Sequence, residues 1–233
     1  MKDSDMETYE FTGDKKKFKD LLEKLPKDVF SKTVEKTIFD LFLKYASRAY
    51  HNIDHVLACL TELEQLEKAV EYFELPIDFT TIKLALWYHD VEDTEKASLT
   101  YFYGDFPIKN YRGLPNETHT QTFHEIMDLT NLIMATKPGV TPKNIWEGYI
   151  KDIDLSILGK PLDVFKEYEN KVRQEYPQYE DEVFCKGRAE ILKGFMMKEF
   201  IYYTRYFRDR YERQARINLR ASIEKLESRK AIW

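Results

Sequence analysis

The feature that most limits the fold of this chain is how rarely its helical sequence patterns are interrupted. Only eight glycines and eight prolines occur among the 233 residues. Apolar residues recur at helical spacing, as in the set Val56, Leu60, Leu63, Leu66 and Val70. This spacing predicts amphipathic helices, whereas a β-fold of the same length would need many more turn residues. The sequence therefore predicts an all-α protein.

The length and the breaker residues predict a single domain. Residues 1–13 are expected to be flexible, and residues 14–233 are expected to share one helical core. The helical period is lost between residues 94 and 116, where several breakers cluster: Gly104, Pro107, Gly113 and Pro115. We therefore predict a long loop or insertion at about 94–116. Its aromatic residues suit either a lid over a substrate or a contact in a homodimer, and the sequence leaves both open.

Composition narrows the cellular setting and the partners. No apolar run is long enough to cross a membrane, and the first residues lack a secretory signal pattern. The two cysteines, Cys59 and Cys185, both fall within helical patterns, which argues against a disulfide framework. A cytoplasmic location is therefore expected. The net charge of −5 gives no general attraction to nucleic acid, so a nucleic-acid partner is not expected.

Two short segments hold three of the five histidines. His51 and His55 are four residues apart, a spacing that places both side chains on one face of a helix. His89 and Asp90 come at the end of an apolar helical pattern, where neighbouring side chains can reach a common ion. Asp154 lies among apolar residues, and a buried carboxylate is costly unless it is paired or ligated. Together these side chains supply the mixed nitrogen and oxygen donors that a divalent metal needs to activate water near neutral pH.

The order of these residues resembles the H…HD…D signature of the HD superfamily of metal-dependent phosphohydrolases. The likeness includes the segments 48–55, 85–91, 132–137 and 154–159, and it extends over nearly all of the chain after about residue 28. It implies an HD-domain-like helical bundle with a metal site between central helices. The ligands that it implies are His55, His89, Asp90 and Asp154.

Two more distant likenesses suggest catalytic roles. The segment 50–55 is similar to that of cyclic-nucleotide phosphodiesterases, in which the second histidine binds metal and the first protonates the leaving group. Carried over, His55 is the ligand and His51 the general acid, with the reverse assignment as the alternative. The segment after Asp90 resembles that of (p)ppGpp hydrolases, where an acidic pair positions the attacking water. This likeness assigns a catalytic role to Asp93, although the match is one residue short.

The expected substrate is a small phosphate ester, a nucleotide or a related metabolite, which metal-activated water would hydrolyse. Arg48, Asn52 and Lys137 are expected to bind the substrate, and Arg48 and Lys137 are the cations best placed to bind its phosphate. Arg173 and Arg188 are further candidates, with a solvated surface cation as the alternative for each. The ligand set suits one divalent ion, which can be manganese, iron, nickel, zinc or magnesium.

Two further alternatives concern the number of ions and the activity. A second ion would need His119 and His124. The alternative function is a nucleotide-sensing or interaction module that retains the metal site with little turnover.

Overall fold

The computed structural model of the protein describes residues 44–45, 48–70, 79–92, 94–105 and 116–228, of which 101–105 and 116–125 are described by their backbone alone. Most of these residues are helical and none of them lies in a strand, so the all-α prediction is confirmed. The N-terminus predicted to be flexible, 1–13, lies outside the described residues. The chain divides into two compact units, of which the first ends at Val140 and the second begins at Thr141. That residues 14–233 form one domain stays a prediction.

The first unit contains four described helices: α1 (Ile53–Val70), α2 (Phe79–Tyr88), α3 (Glu95–Asp105) and α4 (Asn116–Thr136). Helix α2 contacts each of the other three. Its residues from Leu84 to Tyr88 are all buried. A helix of ten residues is marginal by itself, so packing on several sides stabilises α2. This central position carries the end of α2 into the interior of the unit.

Helix α3 occupies much of the segment that was predicted to be a loop. Thr94 begins it, since the Thr94 hydroxyl oxygen accepts a hydrogen bond from the Ala97 amide at 3.2 Å. Ser98 and Leu99 are buried, but they do not form a long apolar stripe. The sequence pattern therefore gave no helical signal, and the loop prediction is wrong for Glu95–Asp105. Residues 106–115 lie outside the described residues.

The second unit contains α5 (Ile145–Asp154), α6 (Leu162–Glu175), α7 (Asp181–Met196), the short α8 (Arg205–Phe207) and α9 (Arg213–Glu227). A π-helical turn, Arg208–Glu212, joins α8 to α9. Helix α5 begins with a reciprocal cap. The Asn144 side chain accepts from the Glu147 amide at 2.9 Å, and the Glu147 carboxylate accepts from the Lys143 amide at 2.8 Å. Among the described helices, none is long and apolar enough to cross a membrane.

A 3₁₀ turn, Leu155–Gly159, follows α5 and contacts α5, α6, α9 and the π-helical turn. A Cβ atom added to Gly159 would lie 2.5 Å from the Tyr211 Cβ and 2.8 Å from the Tyr211 carbonyl oxygen. Since Cβ atoms do not approach other atoms so closely, this turn requires glycine at position 159. The glycine therefore sets how closely the turn and the π-helical turn approach each other.

Asp152, a fully buried residue of α5, has a complete set of hydrogen-bond partners within the second unit. Its carboxylate accepts from the Tyr203 amide at 2.8 Å, the Thr204 amide at 2.7 Å and the Thr204 hydroxyl at 2.7 Å. Burial raises the pKa of Asp152 to about 6, against the lowering effect of these hydrogen bonds. The carboxylate thus ties α5 to the segment that precedes α8.

Arg173 and Arg188, the two further candidates for phosphate binding, make contacts within the second unit. Arg188 is largely buried and donates to Glu169 at 2.5 Å and to the Tyr168 hydroxyl at 2.7 Å. Arg173 donates to Asp181 at 2.7 Å and to backbone carbonyl oxygens of the α6–α7 connection. A buried ion pair of the first kind costs several kcal/mol when one partner is removed. Neither arginine is a simple surface cation.

Candidate metal centre

The N-cap of α1 determines where His51 and His55 lie relative to that helix. The Asn52 side-chain oxygen accepts from the Asp54 amide at 2.8 Å, and its side-chain nitrogen donates to the Ala49 carbonyl at 2.9 Å. Asn52 is therefore the N-cap residue, and the helix begins at Ile53. His51 precedes the helix, so the prediction that His51 and His55 share one helix face is wrong. Their ring centroids are nevertheless 5.9 Å apart.

His55 lies in the first turn of α1 and is buried, with 4% of its side chain exposed. Its Nε2 is 3.3 Å from the Nε2 of His89, a residue 34 positions later in the chain. The side chain of His51 is half-buried beside it and makes an edge contact with the Tyr50 ring. The two histidines of the first motif therefore differ in burial, and the buried one faces His89.

His89 follows the last residue of α2 and keeps a helical hydrogen bond, from its amide to the Ala85 carbonyl at 2.9 Å. Its Nδ1 lies 2.9 Å from the Leu86 carbonyl oxygen. A carbonyl oxygen only accepts, so Nδ1 carries the proton and a neutral His89 presents its Nε2 lone pair to the site. An outer hydrogen bond of this kind is the usual way in which a ligating histidine is oriented.

Asp90 brings a third donor atom to the same place. Its Oδ2 is 3.0 Å from the Nε2 of His89 and 3.1 Å from the Nε2 of His55. The atom itself is buried, and no hydrogen bond of acceptable geometry reaches it. The backbone carbonyl of Asp90 accepts a hydrogen bond from Arg48. Arg48 therefore holds the backbone of the turn after α2, while the Asp90 carboxylate faces the two imidazoles.

Two imidazole nitrogens and a carboxylate oxygen at these distances need a positive charge between them, either a proton or a metal ion. Burial acts to raise the pKa of Asp90, but in the metal-free site the positive charge of a protonated His89 and the contact with His55 hold it well below its ordinary value. The carboxylate is therefore ionised at neutral pH, as a metal ligand must be.

The spacing of the three atoms fits shared coordination. Two ligand atoms that lie about 2.1 Å from one ion are about 3.0 Å apart at a right angle and about 3.4 Å apart at a tetrahedral angle. The observed spacings of 3.0, 3.1 and 3.3 Å fall within this range. The same Oδ2 is buried and has no hydrogen bond of acceptable geometry within the described residues, which also favours a cation at this point. His55, His89 and Asp90 thus form a group that could hold a divalent ion.

Cys59 is a neighbour of this group that the sequence reasoning missed. It lies one turn after His55 on α1 and is 2% exposed. Single donor atoms of His55, Cys59 and His89 lie within 4.8 Å of one another, which is a spacing that suits a metal site. The four-residue spacing from His55 could have identified it, but both cysteines were interpreted only in terms of disulfides and helical patterns.

The other predicted site residues have different positions. Arg48 lies at the site and contacts the backbone of Asp90, whereas Lys137 is an exposed residue immediately after α4. Asp154 is the half-buried last residue of α5 in the second unit, and its role as the fourth ligand stays a prediction. Asp93 and the side chains of His119 and His124 lie outside the described residues.

These contacts give the candidate site its chemical character: two buried imidazoles, one ionised carboxylate, one thiol and an arginine at the edge. Donors of this kind suit a transition-metal ion such as zinc, iron, nickel or manganese better than magnesium. No family model matches the sequence, and no curated protein is significantly similar to it.

Proposed function

We propose that this protein is a metal-dependent phosphohydrolase whose ion is held by His55, His89 and Asp90. The observation that carries the proposal is the triangle of Nε2, Nε2 and Oδ2 atoms, 3.0–3.3 Å apart, in which Oδ2 is buried without a hydrogen bond. The resemblance to the HD superfamily supports the same three ligands and adds Asp154 as the fourth. When bound, a divalent ion would lower the pKa of a water molecule and attract a phosphate oxygen.

His51 is the proposed general acid. It lies beside the ligand group, with its ring centroid 5.9 Å from that of His55, but it is half-buried and therefore open to a substrate. As an imidazolium it would donate a proton to the departing oxygen, a step that typically contributes about 10²–10⁴-fold. The reverse assignment, with His51 as ligand, has less support because the Nε2 of His55 is the atom that faces His89.

Arg48 is the proposed phosphate-binding cation at the edge of the site. It already donates to the Asp90 carbonyl, and a guanidinium has five N–H donors in a planar fork. It can therefore bind a phosphate oxygen without leaving the turn that bears Asp90. Lys137 and Asn52 are retained as secondary candidates, although Asn52 already uses its side chain to cap α1.

The substrate class is a small phosphate ester, a nucleotide or related metabolite, and the expected location is the cytoplasm. Purified protein loaded with manganese, zinc, iron, nickel or magnesium should be screened against cyclic nucleotides, mononucleotides and generic phosphate esters. We expect turnover with at least one transition metal. Release from cyclic nucleotides alone would identify a phosphodiesterase. Metal and nucleotide binding without any turnover would instead support the sensing module.

Three variants test the assignment of roles. His55→Ala and Asp154→Ala should lose both metal and activity. His51→Ala should keep its metal content, measured by elemental analysis, while turnover falls by about 10²–10⁴-fold. Equal loss of metal in all three variants would reject the roles given to His51 and His55, and full metal retention in Asp154→Ala would remove Asp154 from the ligand set.

A further inference from the structure

Cys59 is a potential donor that the three-ligand site leaves unused. Its Sγ is 3.7 Å from the Nε2 of His55 and 3.9 Å from the Nδ1 of the same ring. The residue is 2% exposed, so solvent has little access to the thiol. A thiol in this position is close to the ion that we propose, and it differs in chemistry from the nitrogen and oxygen ligands around it.

The distance of the Cys59 sulfur from His55 fits that of a metal ligand, but its direction from the imidazole ring does not. A nitrogen and a sulfur bound to one ion at about 2.1 and 2.3 Å are about 3.6 Å apart at a tetrahedral angle. The observed separation from Nε2 is 3.7 Å. Because Sγ is almost equally far from Nδ1, it lies beside the ring rather than beyond Nε2. Ligation therefore requires the Cys59 side chain to turn about its Cα–Cβ bond toward Nε2.

We propose that Cys59 becomes a thiolate ligand of the bound ion and selects a zinc-like metal over magnesium or manganese. The proposal rests on the metal site proposed above. On binding, the S–H bond breaks, its proton passes to water, and a sulfur electron pair forms the bond to the ion, with no change of oxidation state. Thiolates favour zinc and similar ions, whereas magnesium and manganese prefer oxygen donors. The cysteine therefore determines which available metal the site retains.

Cobalt(II) is the probe for this proposal, because a thiolate ligand gives cobalt a near-ultraviolet charge-transfer band that imidazole and carboxylate ligands do not give. The unmodified protein should bind about one cobalt per chain and show the band. Cys59→Ser should lose the band but keep the visible cobalt bands, because His55, His89 and Asp90 remain. Cys185→Ser is the matched control, since Cys185 is the only other cysteine of the chain, and it should keep the band. In Cys59→Ser, zinc affinity should fall by about 10–100-fold, with manganese affinity changed by less than about threefold.

Different failures identify different errors. Stoichiometric cobalt without a charge-transfer band would overturn thiolate ligation and leave the site of His55, His89 and Asp90 intact. A band that disappears in Cys185→Ser instead of Cys59→Ser would also overturn it. A chain that binds no cobalt would reject the proposed function together with this inference. If Cys59→Ser does not fold, Cys59→Ala and the comparison of the unmodified protein with Cys185→Ser decide the question.

Discussion

The two units each bury a carboxylate oxygen, and the two oxygens have opposite surroundings. Asp152 in the second unit accepts three hydrogen bonds from Tyr203 and Thr204, and its pKa is raised to about 6 by burial. In Asp90 of the first unit, the buried Oδ2 has no hydrogen bond and faces two imidazole nitrogens, and the pKa is lowered. One carboxylate is satisfied by the fold, whereas the other requires a cation.

The contrast shows that burial of an acid does not by itself indicate a functional site. Both residues have buried carboxylate oxygens. Asp90 lies within a segment of the proposed motif, and Asp152 lies two residues before another. The two residues differ in their hydrogen-bond donors: Asp152 has three, whereas the Oδ2 of Asp90 has none among the described residues. A buried oxygen without a donor costs free energy, and a bound ligand can recover it.

The largest expected effect is on metal affinity. Asp90→Asn removes one of the three convergent donors, so zinc affinity should fall by at least about 1,000-fold, equivalent to about 4 kcal/mol. Competition with a chelator of known affinity measures it. Asp128→Asn makes the same change at an exposed position of α4 and should leave affinity within about threefold. Similar losses in the two variants would show that net charge, not coordination, governs binding.

The second prediction concerns the close contact between Gly159 and Tyr211 in the second unit. Gly159→Ala would bring a methyl group into contact with the Tyr211 backbone, so unfolding free energy should fall by about 3 kcal/mol. Gly194→Ala is the control, because no atom lies within 4 Å of its added Cβ within α7. This control should gain about 0.5–1 kcal/mol from helix propensity. Urea denaturation measures both, and a harmless Gly159→Ala would contradict the close approach.

A smaller effect is expected when Asp152 is truncated. Asp152→Ala leaves two buried backbone amides and a hydroxyl without their acceptor, and stability should fall by about 2 kcal/mol. Glu167→Ala removes an exposed carboxylate of α6 that pairs only with Lys171 in the described contacts, and it should change stability by less than about 0.5 kcal/mol. If both substitutions cost the same in thermal unfolding, the satisfied carboxylate contributes no more than a surface one.

The smallest expected effect distinguishes two roles of Asn52, capping of α1 and contact with the substrate. Asn52→Ala should destabilise the protein by about 1 kcal/mol, because α1 loses its N-cap. Asn52→Asp should restore the part that the cap contributes, because its carboxylate accepts from the Asp54 amide but cannot donate to the Ala49 carbonyl. A raised KM in Asn52→Asp, in protein shown to be folded, would indicate that the amide also binds substrate. An unchanged KM would leave capping as the role of Asn52.

Sequence patterns predicted the helices with clear apolar stripes, such as α1, whose buried residues include the predicted set Val56, Leu60, Leu63, Leu66 and Val70. They missed α3, whose helical character depends on the Thr94 cap and on burial of two residues rather than on a stripe. Helix boundaries near caps were also misjudged, since Asn52 starts α1 after His51 and not before it. Local periodicity does not report which side chain will cap a helix.

Within the candidate site, the family resemblance grouped His55, His89 and Asp90, whose donor atoms lie 3.0–3.3 Å apart in the structure, and their role as metal ligands stays a prediction. The resemblance could not identify the Leu86 carbonyl that orients His89 or the position of Cys59 beside His55. These features depend on how the first turn of α1 and the end of α2 meet in three dimensions. The sequence indicates which side chains are candidate donors, whereas the packing of the helices determines their tautomers, burial and neighbours.

The 3.3 Å separation of two imidazole nitrogens from residues 34 positions apart has a consequence for folding as well as for chemistry. An ion shared by His55 and His89 would act as a removable staple across that length of chain. In the entropy model used for disulfides, closing such a loop restricts the unfolded ensemble by roughly 4 kcal/mol. Chelation should therefore make this part of the protein easier to unfold and to cleave by proteases, even when no substrate is present.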